Sequence, residues 1–426
     1  MGPRNGLRRL LRLALGTAVL VLVIGNAGIA SAQDSTRKAM AMREKVYEKL
    51  SRAQEAAEAE NWEKAFDYLD DVEKMKDLDP NEKAQLYTAY GYTYFAQENY
   101  AESIGAYERV LLQENLPEAL RTSTLYTLGQ LHFHLEHYEK AAGHLENWLT
   151  VAANPGPQPY VLLGQAYYQL GRPRDAVESI RQAVAAAEQR GQPVQENWYA
   201  LLRVIYFELG EYENLLEVLE ILVTRFPAKE YWVHLSSAYG EMGDTVRQLA
   251  AYEMAYAQGY LETGPEIVLL CQLLLQAEVP YRAGGLLDQA LSAGVVEGTA
   301  ANWRLLSQAW ILAQEHSAAI EALTKAAELS DDGELNARIA QSYANLGDWE
   351  KSVEAAREAL DKGVDNPQEL QILQGMALFE LGRFDEARTA FSAAQRLPKG
   401  RDTATRWLVY VESEKRRLVE LGLQPE

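Results

Sequence analysis

One position recurs along this chain at a nearly fixed interval. Trp62, Tyr100, Tyr138, Pro173, Tyr212, Thr245, Pro280, His316, Trp349 and Phe384 follow one another at steps of 33 to 39 residues. Each opens a segment with apolar residues at helical spacing, and each is preceded by a second such segment. Self-similarity at this period commits a chain to stacked units that each bury a face against the next. No run shows the two-residue alternation of a strand, so the expected unit is a pair of helices.

The stretch YVLLGQAYYQLGRPRDAVESIRQAV, residues 160–184, shows how one unit works. Gly164 falls on the first helix and Ala176 on the second, and small side chains there let the two axes approach closely. Leu163 and Tyr167 share one face of the first helix, and Ile180 and Ala183 form the matching stripe. Gly171 suits a left-handed helix end and Pro173 a first helical turn. A phosphate loop would need its glycines clustered between a strand and a helix; here they are dispersed along helices. The period near 34 and the small–aromatic–small pattern resemble the tetratricopeptide repeat (TPR). The expected fold is all-α, a TPR α-solenoid: a superhelix of about ten helical hairpins from residue 46 to 398 with a C-terminal cap helix. Equivalent small positions are Gly91, Gly129, Gly164, Ser236, Cys271, Ser307, Ala340 and Gly375. Arg203 breaks the pattern in the fifth unit, and Gly284-Gly285 interrupts a second helix in the seventh. Residues 34–60 read as one long helix feeding the array.

The first residues read differently. Arg4, Arg8, Arg9 and Arg12 precede the short apolar run 13–25, and Ala30-Ser31-Ala32 forms a cleavage pattern before Gln33. That is the shape of a secretory signal peptide; an uncleaved anchor is the alternative, although the run is short for a bilayer. The expected domains are a signal peptide at 1–32, the array at 33–400, and a capping helix and tail at 401–426. The expected location is the periplasm of a Gram-negative cell, without stable membrane insertion after cleavage. The chain carries a formal charge of −20, and losing the four arginines takes it to −24. Such a surface repels phosphate backbones, so no nucleic-acid partner is expected. The single cysteine, Cys271, excludes an internal disulfide framework. It falls in a small-residue slot between helices.

Catalytic motifs are missing from the sequence: there is no G-x-S-x-G, H-E-x-x-H, C-x-x-C or P-loop. No enzyme activity, cofactor or metal is expected. Asp70-Asp71 and Asp331-Asp332 read as a solvated face and a helix cap. Among the clustered histidines, His132 occupies a slot that is aromatic in other units and reads as core, while His134 and His137 could meet near the turn. What remains is the inner face of the first helices. Gln130, Gln165, Gln272, Gln308 and Gln341 stand at one equivalent position, beside Tyr92, Phe95, Tyr126, Phe133, Tyr168 and Phe207. Glutamine both donates to and accepts from a peptide backbone, and aromatics supply anchors. These residues are the candidate protein-binding surface; the alternative is that they only pack against the next unit.

NPGPQPYVLLGQAYYQL, ENWYALLRVIYFELGEYENLLEVLEILV, KEYWVHLSSAYGEMGD and DGELNARIAQSYANLGDWEKSVEAAREAL resemble the periplasmic TPR proteins that accompany TonB–ExbB–ExbD energy-transduction systems in gammaproteobacteria. The resemblance spans most of the chain after residue 32. It implies a non-enzymatic adaptor whose partners are envelope proteins, including TonB-, ExbB- or ExbD-type components. The competing reading is a periplasmic scaffold for assembly of outer-membrane, pilus or exopolysaccharide machinery. Export makes the first prediction: N-terminal sequencing of the protein recovered from the periplasm starts at Gln33, and a start at Met1 contradicts cleavage.

Overall fold

The computed structural model describes residues 42–422. The expected signal peptide at 1–32 and the beginning of the helix expected from residue 34 lie outside the described residues. Ten helical hairpins follow one another: Glu44–Glu58 with Trp62–Glu73, Pro80–Ala96 with Tyr100–Leu111, Glu118–His134 with Tyr138–Val151, Pro157–Gln169 with Pro173–Gln189, Glu196–Leu209 with Tyr212–Arg225, Lys229–Glu241 with Thr245–Ala257, Gly264–Gln276 with Pro280–Ser292, Ala300–Leu312 with His316–Glu328, Gly333–Leu346 with Trp349–Lys362, and Pro367–Glu380 with Phe384–Gln395. One more helix, Arg401–Glu420, covers the last hairpin. Every recurring position identified in the sequence is the first residue of a second helix. The first helix is shorter than the sequence suggested. Arg43 is extended, at φ −60° and ψ 134°, and Glu58 is the last helical residue.

The chain divides into two compact units after Thr124, within the first helix of the third hairpin. In the first unit, Val46, Leu69, Val72, Leu86 and Tyr90 build the core. Asp70 accepts from the Tyr90 hydroxyl at 2.6 Å and Asp71 pairs with Lys49 at 2.5 Å, so this acidic pair ties helices together. In the second unit the hairpins bury one apolar cluster after another, from Phe133 and Leu145 through Trp198, Leu219, Leu270 and Leu323 to Phe391.

Every hairpin turns in the same way. The residue two places before the second helix has a left-handed backbone: Glu60, Glu98, Glu136, Gly171, Gly210, Gly243, Glu278, Gln314, Gly347 and Gly382, with φ between 57° and 76°. The next amide then reaches back five residues into the first helix, for example Arg172 N–H to the Tyr167 carbonyl at 2.9 Å and Glu315 N–H to the Trp310 carbonyl at 2.8 Å. This closure satisfies the carbonyls that a helix end leaves without partners. Five of the ten turns put a glutamate or glutamine where glycine would be unstrained.

Because the turns match, the facing residues match. The crossing glycines of the first helices each meet the side chain sixteen positions later. A Cβ on Gly91 would lie 2.8 Å from the Tyr107 ring, on Gly129 2.8 Å from Leu145, on Gly164 2.8 Å from Ile180, and on Gly375 2.7 Å from the Phe391 ring. The residue twelve positions after the small one is small as well in seven of the eight crossings, as in Ala141, Ala176, Ala283, Ala319 and Ala387, all fully buried; in the sixth hairpin Gln248 stands there and accepts from Ser236 at its carbonyl. Ser103 donates to the Gly91 carbonyl at 2.8 Å and Ser352 to the Ala340 carbonyl at 2.9 Å across the same crossing.

The departures have local causes. In the fifth hairpin, Arg203 and Leu215 replace the small pair. The Arg203 guanidinium leaves the crossing, bonds His234 Nδ1 at 2.6 Å and lies 5.7 Å over the Tyr231 ring in the next hairpin. Gly284 makes room for Trp310 of the following hairpin, whose ring would be 2.7 Å from a Cβ there. His132 is core, 1% exposed, but its ring stacks on His144 at 5.3 Å and meets His137 at 5.7 Å. The His137 ring therefore approaches His132, a core contact that the sequence did not indicate.

Two predictions follow from this packing. Gly164→Ala pushes a methyl into buried Ile180 and is expected to cost about 1–3 kcal/mol. Gly143→Ala, with open space around its Cβ and inside a second helix, is expected to stabilise by about 0.4–1 kcal/mol. Urea midpoints that move in the same direction would contradict the register. Burial lowers the His132 pKa from 6.5 to about 4, with His144, Lys140 and His137 opposing its charge. The unfolded chain takes up this proton at higher pH than the folded one, so its contribution is intact above about 6.5 and lost as pH falls toward about 4. His132→Phe is expected to flatten the urea midpoint across that window relative to the parent, and parallel pH profiles would contradict it.

Candidate functional site

The crossing register decides which face of each first helix stays open. The small residue points into its own hairpin, so the next residue, turned by about 100°, points away from the crossing. In the second unit that position holds glutamine in five hairpins and Val204, Ser237 and Met376 in the other three. Gln272, Gln308 and Gln341 are exposed, and Gln130 and Gln165 are half-buried. Gln341 donates to Asn345 at 3.0 Å on its own helix. The aromatics behave less uniformly. Phe207 stands 63% exposed in the fifth hairpin. Tyr168 is half-buried, and its hydroxyl donates to Glu208 of the next hairpin at 3.0 Å. Tyr126 is half-buried against Trp148, with ring centroids 5.5 Å apart. Phe133 is only 4% exposed and packs edge-on against Tyr138 at 5.4 Å, so it serves its own hairpin and offers no surface. In the first unit, Tyr92 is half-buried, and Phe95 tilts against Tyr100 at 5.8 Å.

A second row of side chains runs beside the glutamines. One turn earlier on the same face stand Leu162, Leu201, His234, Leu269, Leu305 and Arg338. Leu162, Leu201 and Leu305 are half-buried, and Leu269 is 42% exposed. The pairs Leu162/Gln165, Leu269/Gln272 and Leu305/Gln308 therefore place an apolar contact three residues from an amide in the fourth, seventh and eighth hairpins, while the fifth has Leu201/Val204 and the sixth His234/Ser237. Arg338/Gln341 keeps the amide and replaces the apolar contact with a charge. Sequence reasoning missed this row because each of its leucines sits beside a core leucine, as in Leu162-Leu163 and Leu269-Leu270. Burial separates them: Leu163 is 4% and Leu270 1% exposed.

The other chemistry-bearing residues are absorbed by the fold. Cys271 is fully buried, and burial pushes its thiol up to about 12, far from a reactive thiolate. Asp332 caps a helix by accepting from Glu334 N–H at 3.0 Å and pairs with Arg304 at 2.7 Å. Lys415 pairs with Asp385 at 2.8 Å and Arg417 with Glu414 at 2.5 Å, so these basic groups of the last helix are matched within the chain. Among the described residues no group of three or more histidine, cysteine, aspartate and glutamate side chains is arranged to hold a metal ion. Nor is any described helix long and apolar enough to cross a membrane.

Comparison with known proteins gives the repeat its name. Tetratricopeptide repeat models match residues 91–157 and 338–401, and another matches 157–190. Among solved structures, the MamA protein is 20% identical over 41% of this chain and 95% of its own, with a TM-score of 0.33. A tetratricopeptide repeat protein from Parabacteroides merdae is 16% identical over 60% of this chain and 98% of its own, with a TM-score of 0.30. YrrB, a TPR protein with an unusual peptide-binding site, is 15% identical over 41% of this chain and 86% of its own, with a TM-score of 0.34. The matched segments are tetratricopeptide repeats, and the hairpin array that contains them is an all-α TPR solenoid.

Proposed function

We propose that this protein is an exported, non-enzymatic adaptor that holds an extended segment of an envelope protein along the first helices of its second unit. The observation that carries this reading is the paired row of leucines and glutamines. An extended chain presents alternating side chains and a free backbone. Leucines take up the side chains, while the amides pair with backbone N–H and C=O groups. Charges are sparse along the stripe, which fits recognition of backbone and apolar groups better than capture of a terminal carboxylate.

The periplasmic setting rests on residues 4–32, whose basic, apolar and small-residue order is that of an export signal. The assignment to a TonB–ExbB–ExbD type system rests on the resemblance of four sequence phrases. In that setting the adaptor joins inner-membrane motor components to TonB or to an outer-membrane receptor.

Photo-crosslinking in cells tests the proposal. A photoreactive residue at Gln272 or Gln308 is expected to capture a discrete envelope protein, and one at exposed Glu178 on a second helix is not. For the captured partner, Leu269→Ala, Gln272→Ala and Gln308→Ala together are expected to weaken binding at least about tenfold, about 1.4 kcal/mol, with the thermal melt unchanged. Equal capture from both faces, or full affinity in the well-folded triple variant, contradicts the stripe. Capture of secretion or polysaccharide components in place of TonB-system proteins would retain the stripe and overturn the assignment to energy transduction.

A further inference from the structure

A cleft of about 510 Å³ opens in the ninth hairpin, bounded by the second helix of the eighth, His316–Glu328, and by both helices of the ninth. It lies on a different face from the stripe. Tyr343, on its wall, is two residues beyond Gln341 and so turned by about 200° around the helix.

One packing position on the cleft wall departs from its neighbours. Four positions before the small residue of a first helix stand Tyr160, Tyr199, Trp232 and Trp303 in the fourth, fifth, sixth and eighth hairpins. Each of those rings packs into the apolar clusters of its neighbourhood. In the ninth hairpin the position holds Asn336, 5% exposed, whose amide donates to Glu358 at 2.8 Å and accepts from Lys362 at 3.1 Å. The space that a large ring fills elsewhere is left open above Ile339 and Tyr343.

The charges around the opening are unevenly matched. Lys351 is held by Asp348 at 2.7 Å with its ammonium 5.2 Å over the Tyr343 ring, and Lys362 is held by Asn336, so both ammonium groups have oxygen partners. Glu328 and Glu354 line the same opening, are exposed, and make no hydrogen bond or ion pair with any described residue. The apolar floor and the unpaired carboxylates at the rim match an amphipathic cation, whose stem lies on apolar surface while its head stays near water. A chain of net charge −20 adds to the attraction for a basic partner.

We propose that this cleft receives a basic side chain, best matched by arginine, projecting from a partner polypeptide. The stem lies on Ile339, Ala327 and Ala355, and the guanidinium donates to Glu328 and Glu354 on the side away from Lys351. This is a second recognition point, chemically unlike the uncharged stripe and independent of what the stripe holds.

The test uses N-acetyl-arginine methylamide as probe and the Ile339 δ-methyl signal of the isotope-labelled full chain as reporter. Titration at constant ionic strength is expected to shift Ile339 saturably and to leave the Ile180 methyl in place. The citrulline analogue, of the same shape without the charge, is expected to bind roughly tenfold more weakly, the scale of a charge-assisted hydrogen bond. Glu328→Gln with Glu354→Gln changes only exposed side chains and is expected to erase that difference. Asn336→Trp, which restores the ring found in other hairpins, is expected to abolish the shift. The stripe variant Leu269→Ala with Gln272→Ala is expected to bind the probe normally, which separates failure of this site from failure of the adaptor reading. No shift with the arginine probe, an equal response to citrulline, or a stronger response to N-acetyl-glutamate methylamide would overturn the proposal.

Discussion

The structure depends on how closely two helices can approach within a hairpin. Where Gly91, Gly129, Gly164 or Gly375 stands, there is no Cβ, and a ring or branched side chain from the second helix lies against bare backbone. Glycine inside a helix costs about 1 kcal/mol of helix propensity relative to alanine. The close approach offsets this by letting Tyr107, Leu145, Ile180 or Phe391 bury fully between the helices. The same contact fixes the rotation of both helices, because a side chain sixteen residues away reaches the gap only if the intervening turn has one length and one shape. The left-handed residue in each turn supplies that shape.

Rotation of the first helix then sorts its residues by role. One side faces the crossing, another supplies Tyr, Trp or Leu to the neighbouring hairpin, and the third carries the leucine–glutamine row. Tyr239 illustrates the second role: its hydroxyl reaches Glu220 of the preceding hairpin at 2.7 Å, and its ring is buried. Exposed members of this row, Leu269, Gln272, Gln308 and Gln341, can therefore vary without disturbing the crossings, whereas Leu162, Leu201 and Leu305 also pack against the apolar clusters. The cleft at Asn336 is the converse case, in which a packing position has given up its ring and opened a surface.

Much of this was legible in the sequence because period and size carry it. Start positions of the second helices, small crossing residues and glycine turns such as Gly171 and Gly347 each have one physical reading. The turns at Glu98, Glu136 and Gln314 were not legible, since nothing about these side chains signals a left-handed backbone. Their conformation is imposed by the closing hydrogen bond and by the hairpin on either side. The candidate surface was legible in part. Its glutamines stand out as polar residues in an apolar register, whereas Leu162 and Leu269 look like core, and Phe133 looks like an anchor until its contact with Tyr138 is seen. Arg203 was visible as an anomaly, but its bond to His234 joins two hairpins and leaves no trace in either one alone.

The most direct test of this architecture is a double-mutant cycle at one crossing. Gly164→Ala, Ile180→Val and the pair together are compared in urea unfolding. If the two residues share the gap, trimming Ile180 makes room for the added methyl. The double variant is then more stable than the summed single losses predict, by on the order of 1 kcal/mol. Strict additivity would place the two residues out of contact, and with them the register that exposes the leucine–glutamine stripe.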